Sequence, residues 1–356
     1  MVDAKAVADY FAQRFDEQVA VSSLKQTFPG MSRETWIVGA EVGEGARRRH
    51  RDLVLRIDLP SGGIVPLPLK TEWEVYVRLW PSPVPVAEPL WYDEGLLPFA
   101  EGRPHMVREL VEGATSVPGL TEPGPEGDAT RRAVAFEHAE KLALVHSLDW
   151  KRYGLDEVLP TPSSPAEAIR LDFEMWKEIW FECRSAPYPE ITDALYWLEE
   201  QIPTDSPRIS LTKGNNGIGE EIWREGKIVA MSDWELAALG DAAQDWAFSQ
   251  GMLGLWDADE TLAHYEAAAG FTLSPRTMAF SQLFIAFKST VCLNSALRGF
   301  MDGRDPRPGV AVMGISSPRN AAGRLASVVG MELEEAAAAL AAPRAGGNPY
   351  IREERS

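Results

Sequence analysis

The hydrophobic pattern of this chain changes period once, and that change limits the folds open to it. Over the first 110 residues, Val19 to Phe28, Glu34 to Val42 and His50 to Leu59 carry β-branched and aromatic residues with partial alternation at period two, separated by Pro-Gly and charged turns. These read as strands. Thr71 to Trp80, with charges at 72, 74 and 78, fits an amphipathic helix. The proline-rich connector Pro81 to Pro89 then leads to two shorter strands, Pro89 to Asp93 and His105 to Leu110. After the loop Glu122 to Asp128, in which Asp128 is the expected helix N-cap, the period becomes helical. Ala129 to Trp150, Ala166 to Cys183, Glu190 to Gln201, Ala242 to Trp256, Asp259 to Ala269, Thr277 to Phe300 and Arg319 to Ala341 all read as helices. One β-like island, Arg208 to Trp234, interrupts them. The expectation is an α+β chain of two lobes: a small β-rich lobe over residues 1–110, a helical lobe over 111–345, and a mobile polar tail over 346–356. Ligands commonly bind in the crevice between two such lobes.

Charge narrows the partners. The 35 basic and 53 acidic residues sum to −18, which argues against gripping a nucleic-acid backbone. No apolar run approaches the roughly 20 residues of a membrane span, and Met1 to Arg14 lacks the apolar stretch of a secretion signal. The two cysteines, Cys183 and Cys292, supply neither a disulfide framework nor a thiolate zinc site. A cytoplasmic protein with a small-molecule or protein partner is expected.

The chemistry concentrates in Ile209 to Asp245. Lys213 to Gly219 is a glycine-rich loop, and Glu220 to Arg224 and Lys227 to Asp233 form a hairpin about the two-residue turn Glu225-Gly226. A straight ladder from that turn sets Arg224 opposite Lys227, Ile222 opposite Val229 and Glu220 opposite Met231. Glu220 and Asp233 then share a face as diagonal neighbours, with backbones about 7–8 Å apart. Two inward carboxylates so placed repel unless a cation lies between them, and Mg²⁺ fits such a gap, held by carboxylates and substrate phosphates.

These residues resemble the aminoglycoside phosphotransferase and choline kinase group, small-molecule relatives of the protein kinases. That group carries His-Gly-Asp, four variable residues and Asn in its catalytic loop, followed by a hairpin ending Ile-Asp-Trp/Phe-Glu. Lys213-Gly214-Asn215 stands at the first motif, Glu220 at the Asn, and Ser232-Asp233-Trp234-Glu235 at the hairpin end. The resemblance implies a two-lobed kinase-like fold and ATP with Mg²⁺ as cosubstrate and metal. It further implies a phosphate-covering turn at Phe28 to Ser32, with Gly30 and Ser32, and a phosphate contact from Arg56 with Glu72 or Glu74 as its helix partner. Adenine would meet a linker at Val107 to Gly113, through Glu109 and Val111. Mg²⁺ would be held by Glu220 and Asp233, and the acceptor hydroxyl would lie near Asn215. His146, in Leu142 to Leu148, reads as a core histidine, and Asp241 and Asp245 as helix-start residues or braces of the catalytic loop.

Two departures fall on the loop itself. Asn215 replaces the aspartate that takes or orients the hydroxyl proton, and an amide oxygen only accepts a hydrogen bond. Phosphoryl transfer depends mainly on positioning and charge neutralisation, so an orienting Asn is compatible with transfer. The proton acceptor would then be Lys213, Glu220 or the substrate itself, and Lys213 would otherwise be a structural loop residue. Glu220 in place of Asn adds a negative charge that favours a cation. The readings are an ATP-dependent phosphotransferase for a small-molecule hydroxyl, a nucleotide-binding pseudokinase with a regulatory or scaffolding role, or another nucleotide-dependent transfer. Phe173, Trp176 and Trp180 form an aromatic stripe that is either core or, if it borders the cleft, the wall for an apolar or aromatic substrate bearing a hydroxyl.

Overall fold

The computed structural model describes residues 2–27, 32–59, 67–96, 99–216 and 219–341. Its first part is α1 (Ala4–Phe15), β1 (Val19–Gln26), β2 (Arg33–Val42), β3 (Arg49–Asp58), α2 (Leu69–Leu79), β4 (Pro89–Asp93) and β5 (His105–Glu109). The strands form one antiparallel sheet in the order β1-β2-β3-β5-β4. Alternation places Val38, Ala40 and Val42 of β2 with Leu53, Leu55 and Ile57 of β3 on one face. Val7, Tyr10 and Phe11 cover that face from α1, at the i, i+3, i+4 spacing of an apolar stripe. The Asp3 carboxylate starts α1 by accepting from the Ala6 N–H at 2.8 Å. Arg56, between Leu55 and Ile57, points to the other side of the sheet, towards α2.

The helical part comprises α3 (Gly124–His146), α4 (Pro165–Cys183), α5 (Pro189–Glu200), β6 (Ser210–Thr212), β7 (Glu221–Arg224), β8 (Lys227–Met231), β9 (Ala238–Gly240), α6 (Ala242–Phe248), α7 (Gln250–Leu253), α8 (Ala258–Ala269), α9 (Pro275–Met301), α10 (Pro308–Ala326) and α11 (Leu333–Ala341). One core joins Val75, Tyr76 and Leu79 of α2 to Leu142 of α3, Ile228 and Met231 of β8, and Trp234. The lobes therefore share buried apolar surface. A second core packs α4 and α5 on α9, and the expected aromatic stripe lies in it: Phe173, Trp176 and Trp180 are buried against Phe280, Phe284 and Phe287.

Several expected boundaries are corrected. Asp128 is not the cap of α3, which begins at Gly124 with a proline in its first turn, where the missing N–H costs nothing. The expected Ala242 to Trp256 helix breaks at Ser249 into α6 and α7. The C-terminal helix begins at Pro308 and is interrupted before α11, where Gly330 takes φ +84°. β9, which pairs with β6, was not legible as a strand in so short a segment. The 346–356 tail lies outside the described residues.

Phe173 makes ring contacts with Phe280 at 6.5 Å and Phe284 at 5.5 Å and has no exposed surface. Phe173→Ala is expected to lower stability by about 3–5 kcal/mol, read as a fall in urea midpoint at unchanged slope.

Candidate active site

Lys213 to Asn216 follow β6 as a loop whose shape is set from α6. The Asp245 carboxylate accepts from the Lys213 N–H at 2.6 Å and the Gly214 N–H at 2.8 Å, while His146 Nε2 lies 3.0 Å from it. His146 Nδ1 is 2.8 Å from the Tyr265 hydroxyl, so this histidine is a buried brace. Burial would raise the Asp245 pKa, but His146 and the two loop N–H groups hold it below the usual carboxylate range. Gly214 has φ +81°, and a Cβ there would lie 2.5 Å from the Leu236 carbonyl oxygen, so only glycine fits. Lys213 is fully buried, and its ammonium donates to the Asn215 carbonyl oxygen. It closes the loop on itself.

The β7–β8 hairpin turns at Glu225 and Gly226, both at positive φ, with Arg224 opposite Lys227 as expected. The straight register beyond it does not hold. Ile222 pairs with Ala230 and Trp223 with Ile228, so Val229 is an extra residue in β8, a β-bulge. Glu221, not Glu220, stands opposite Met231, and the Glu220 carbonyl oxygen accepts from both the N–H and the hydroxyl of Ser232, each at 2.8 Å. Glu221 is buried instead against His138, 3.2 Å away.

Past β8 the chain turns sharply. Asp233 adopts φ +66°, and the Trp234 indole N–H bonds back to the Met231 carbonyl at 3.0 Å. The turn brings Asp233 to the Arg56 guanidinium, whose Nη1 and Nη2 are both 3.1 Å from Oδ1. The same guanidinium pairs with Glu72 at 2.8 Å and lies 3.8 Å from Glu235. Glu72 is thus the helix partner of Arg56, and Glu74 pairs outward with Arg78 at 3.8 Å. The Asn215 side-chain N–H₂ donates to Asp233 Oδ2 at 2.5 Å.

Electrostatics separate these carboxyls. Burial and the neighbouring Asp233 charge push Glu220 up to about 7, and the same two causes push Glu235 up to about 7. Burial also opposes ionisation of Asp233, yet Arg56, Lys213 and the Asn215 hydrogen bond hold it below the usual range. Burial raises Glu72 against the pull of Arg56. Four carboxyls thus face two cations, Arg56 and Lys213, and all their donor atoms are hard oxygens. Oxygens of Glu72, Asp233 and Glu235 lie within 4.8 Å of one another, and Glu235 Oε2 has no hydrogen bond among the described residues. That donor set fits a divalent cation of the Mg²⁺ type.

Of the residues expected at the site, Arg56, Glu72, Lys213, Asn215 and Asp233 therefore converge, and Glu220 feels the charges of Asp233, Lys213 and Arg56 without joining the three acids that lie within 4.8 Å of one another. Ser32, buried beside the start of β2, and Glu109 and Val111, at the end of β5, make no hydrogen bond or ion pair with this cluster among the described residues. The Glu109 N–H bonds to the Glu88 carbonyl at 2.9 Å, and its carboxylate pairs with Arg51. Gly30 lies outside the described residues. Glu235 escaped the sequence reading as a site residue, although it closes the Asp-Trp-Glu motif there. On the other side of Asn215, a cavity of 640 Å³ extends between α4, α6 and α9, with Leu159, Met175, Trp176, Leu236 and Ile285 in its walls. Part of its lining, including Asn215, Glu235 and Trp176 of the aromatic stripe, comes from stretches singled out in the sequence, and the rest from helices far apart in the chain.

Acyl-CoA dehydrogenase family member 11 of Gallus gallus is 27% identical over 195 residues, a match covering 53% of this chain and 24% of that protein. The chain thus spans about a quarter of the length of that relative. Among solved structures, a candidate aminoglycoside phosphotransferase from Ralstonia eutropha is 20% identical with a TM-score of 0.64, covering 91% of this chain and 98% of its own. A thermostable mutant of aminoglycoside phosphotransferase APH(4)-Ia, in a ternary complex with ADP and hygromycin B, is 17% identical with a TM-score of 0.55, over 91% and 98% of the two chains. Both share the two-lobed α+β fold. The model of the phosphotransferase enzyme family matches residues 29–280, a segment that takes in Arg56, Glu72, the braced loop and Asp233 together, and this chain belongs to that family.

Proposed function

We propose that this protein transfers a phosphoryl group from ATP to a hydroxyl of a small, largely apolar molecule. The observation that carries the reading is the position of Asn215, with its amide N–H₂ on Asp233 and its residue in the wall of the cavity. That hydrogen bond fixes the amide, leaving its oxygen as an acceptor for a substrate hydroxyl. Asn215 then orients the nucleophile without taking its proton, and Lys213 holds the loop rather than touching phosphate. Family membership and the ADP complex of the APH(4)-Ia relative support ATP as the donor.

In this reading Asp233 and Glu220 would hold Mg²⁺, with Glu72 and Glu235, whose oxygens lie within 4.8 Å of one another and of Asp233, completing the acidic set; the ion would supply neutralisation of phosphate charge. Arg56, kept in place by Glu72, faces the phosphates, and the turn at Gly30 and Ser32 covers them. Adenine lies against the Glu109 to Val111 backbone; the Val111 N–H has no backbone partner among the described residues. A nucleotide-binding protein without turnover is the second reading, favoured by the absence of a carboxylate base at 215. Labelled ATP incubated with candidate alcohols separates the two, because the second gives thermal stabilisation by nucleotide without phosphorylated product.

Three outcomes are expected. Asp233→Ala removes Mg²⁺-dependent ATP binding in calorimetry; unchanged affinity with Mg²⁺ present would refute the metal assignment. Asn215→Ala lowers kcat by about 10²-fold through lost orientation, whereas Asn215→Asp raises it by about 10²-fold by restoring a base, both read in a steady-state transfer assay. The third concerns pH. Because the Glu235 pKa is raised in the folded chain to about 7, its contribution to stability is full below the ordinary value of 4.5 and is lost as pH rises through about 7. Glu235→Gln removes that loss, so the variant gains stability relative to wild type from about pH 5 to about pH 8, measured by urea denaturation.

A further inference from the structure

The walls of the cavity beside Asn215 are mainly apolar, and away from the loop and the acids Glu235 and Asp245 they carry one charged cluster. Lys288 of α9 donates from Nζ to the Asp172 carboxylate of α4 and to the Gln244 side-chain oxygen of α6, each at 2.5 Å. All three residues line the cavity. The Lys288 and Asp172 side chains keep only 14% and 10% of their surface exposed, and the ammonium lies over the Trp176 and Phe284 rings, 5.5 and 4.6 Å from their centroids. Withdrawing a lysine this far from water is unfavourable unless its donors are used. An ammonium has three N–H donors, and two are bonded to protein. The third has no protein acceptor among the described residues.

A lysine serving only to clamp α4, α6 and α9 together has no need of a cavity wall. Here the ammonium borders the space that a substrate of Asn215 would fill. We propose that Lys288 is the specificity-determining residue of the acceptor site, and that its third N–H donates to a second, neutral oxygen of an otherwise apolar alcohol. This rests on the phosphotransferase reading above. The oxygen is a carbonyl, ether or hydroxyl rather than a carboxylate, because Asp172 already neutralises Lys288 and Glu235 lines the same cavity. An added anion would meet three carboxyl groups, Asp172, Glu235 and Asp245, and one cation already paired. An amine is disfavoured because it brings a donor to a donor.

The test uses a matched eight-carbon series: octanol, octanols bearing one ketone stepped along the chain, and hydroxyoctanoate. Equilibrium binding is measured by calorimetry on the full chain without nucleotide. At least one keto-octanol is expected to bind about 10- to 100-fold more tightly than octanol, with hydroxyoctanoate weaker than that ketone. Lys288→Met abolishes the preference for the ketone while octanol binding persists, and Lys288→Arg recovers part of it. Since Lys288→Met strands the Asp172 carboxylate, the double variant Lys288→Met with Asp172→Leu removes both charges. It should keep the wild-type circular dichroism spectrum, bind octanol and ignore the ketone. A ketone preference that survives in either variant overturns the assignment, as does a series in which nothing binds or the carboxylate binds best. The same series with ATP and Mg²⁺ separates the two claims. A Lys288-dependent preference in binding without phosphorylated product sinks the phosphotransferase reading alone; product formed with no Lys288-dependent preference sinks this one alone.

Discussion

A single buried guanidinium organises the cleft of this protein. Arg56 is the cation that allows Glu72 of α2 and the pair Asp233 and Glu235 beyond β8 to be gathered within a few ångströms of one another. Without it their mutual repulsion and desolvation would force protonation or separation. Arg56 sits on β3, Glu72 on α2 and the two other acids just beyond β8, so the same contact also ties the sheet to the helical part. Arginine suits this place because its planar fork engages several carboxylates at once and does not lose its proton.

Around that contact the site is held by backbone as much as by charge. Asp245 grips two consecutive loop N–H groups, and His146 and Tyr265 grip Asp245 in turn. Asp233 reaches Arg56 from a backbone in the left-handed conformation, and the bulge at Val229 resets which acid stands opposite Met231. Such local departures from regular geometry are where a fold aims side chains. Asn215 belongs to this picture. An amide donates to Asp233 where a second carboxylate would add to the repulsion.

The cavity adds a separate level of selection. In the proposed reading the acids around Arg56 serve the phosphoryl donor, whereas the walls between α4, α6 and α9 serve the acceptor. Their mainly apolar character and the paired ammonium of Lys288 are what the proposal of an apolar acceptor rests on, even though the chain as a whole is acidic. Net charge governs solubility and long-range steering, not the lining of a pocket.

The amino-acid sequence on its own determined the order of strands and helices, the hairpin turn at Glu225-Gly226, and the identity of most cleft residues, because periodicity, turn chemistry and short motifs are local properties. It also narrowed the partner of Arg56 to two glutamates one helical half-turn apart. Choosing Glu72 needed the tertiary structure, since only the packing of α2 decides which side of the helix is buried. The same holds for the one-residue shift in the hairpin, for Glu235, and for Lys288 with Asp172 and Gln244. A bulge leaves no mark in a five-residue strand, and residues 172, 244 and 288 become neighbours only when three helices pack together. What the chain writes locally it can be read for; what arises from distant segments meeting is decided by packing alone.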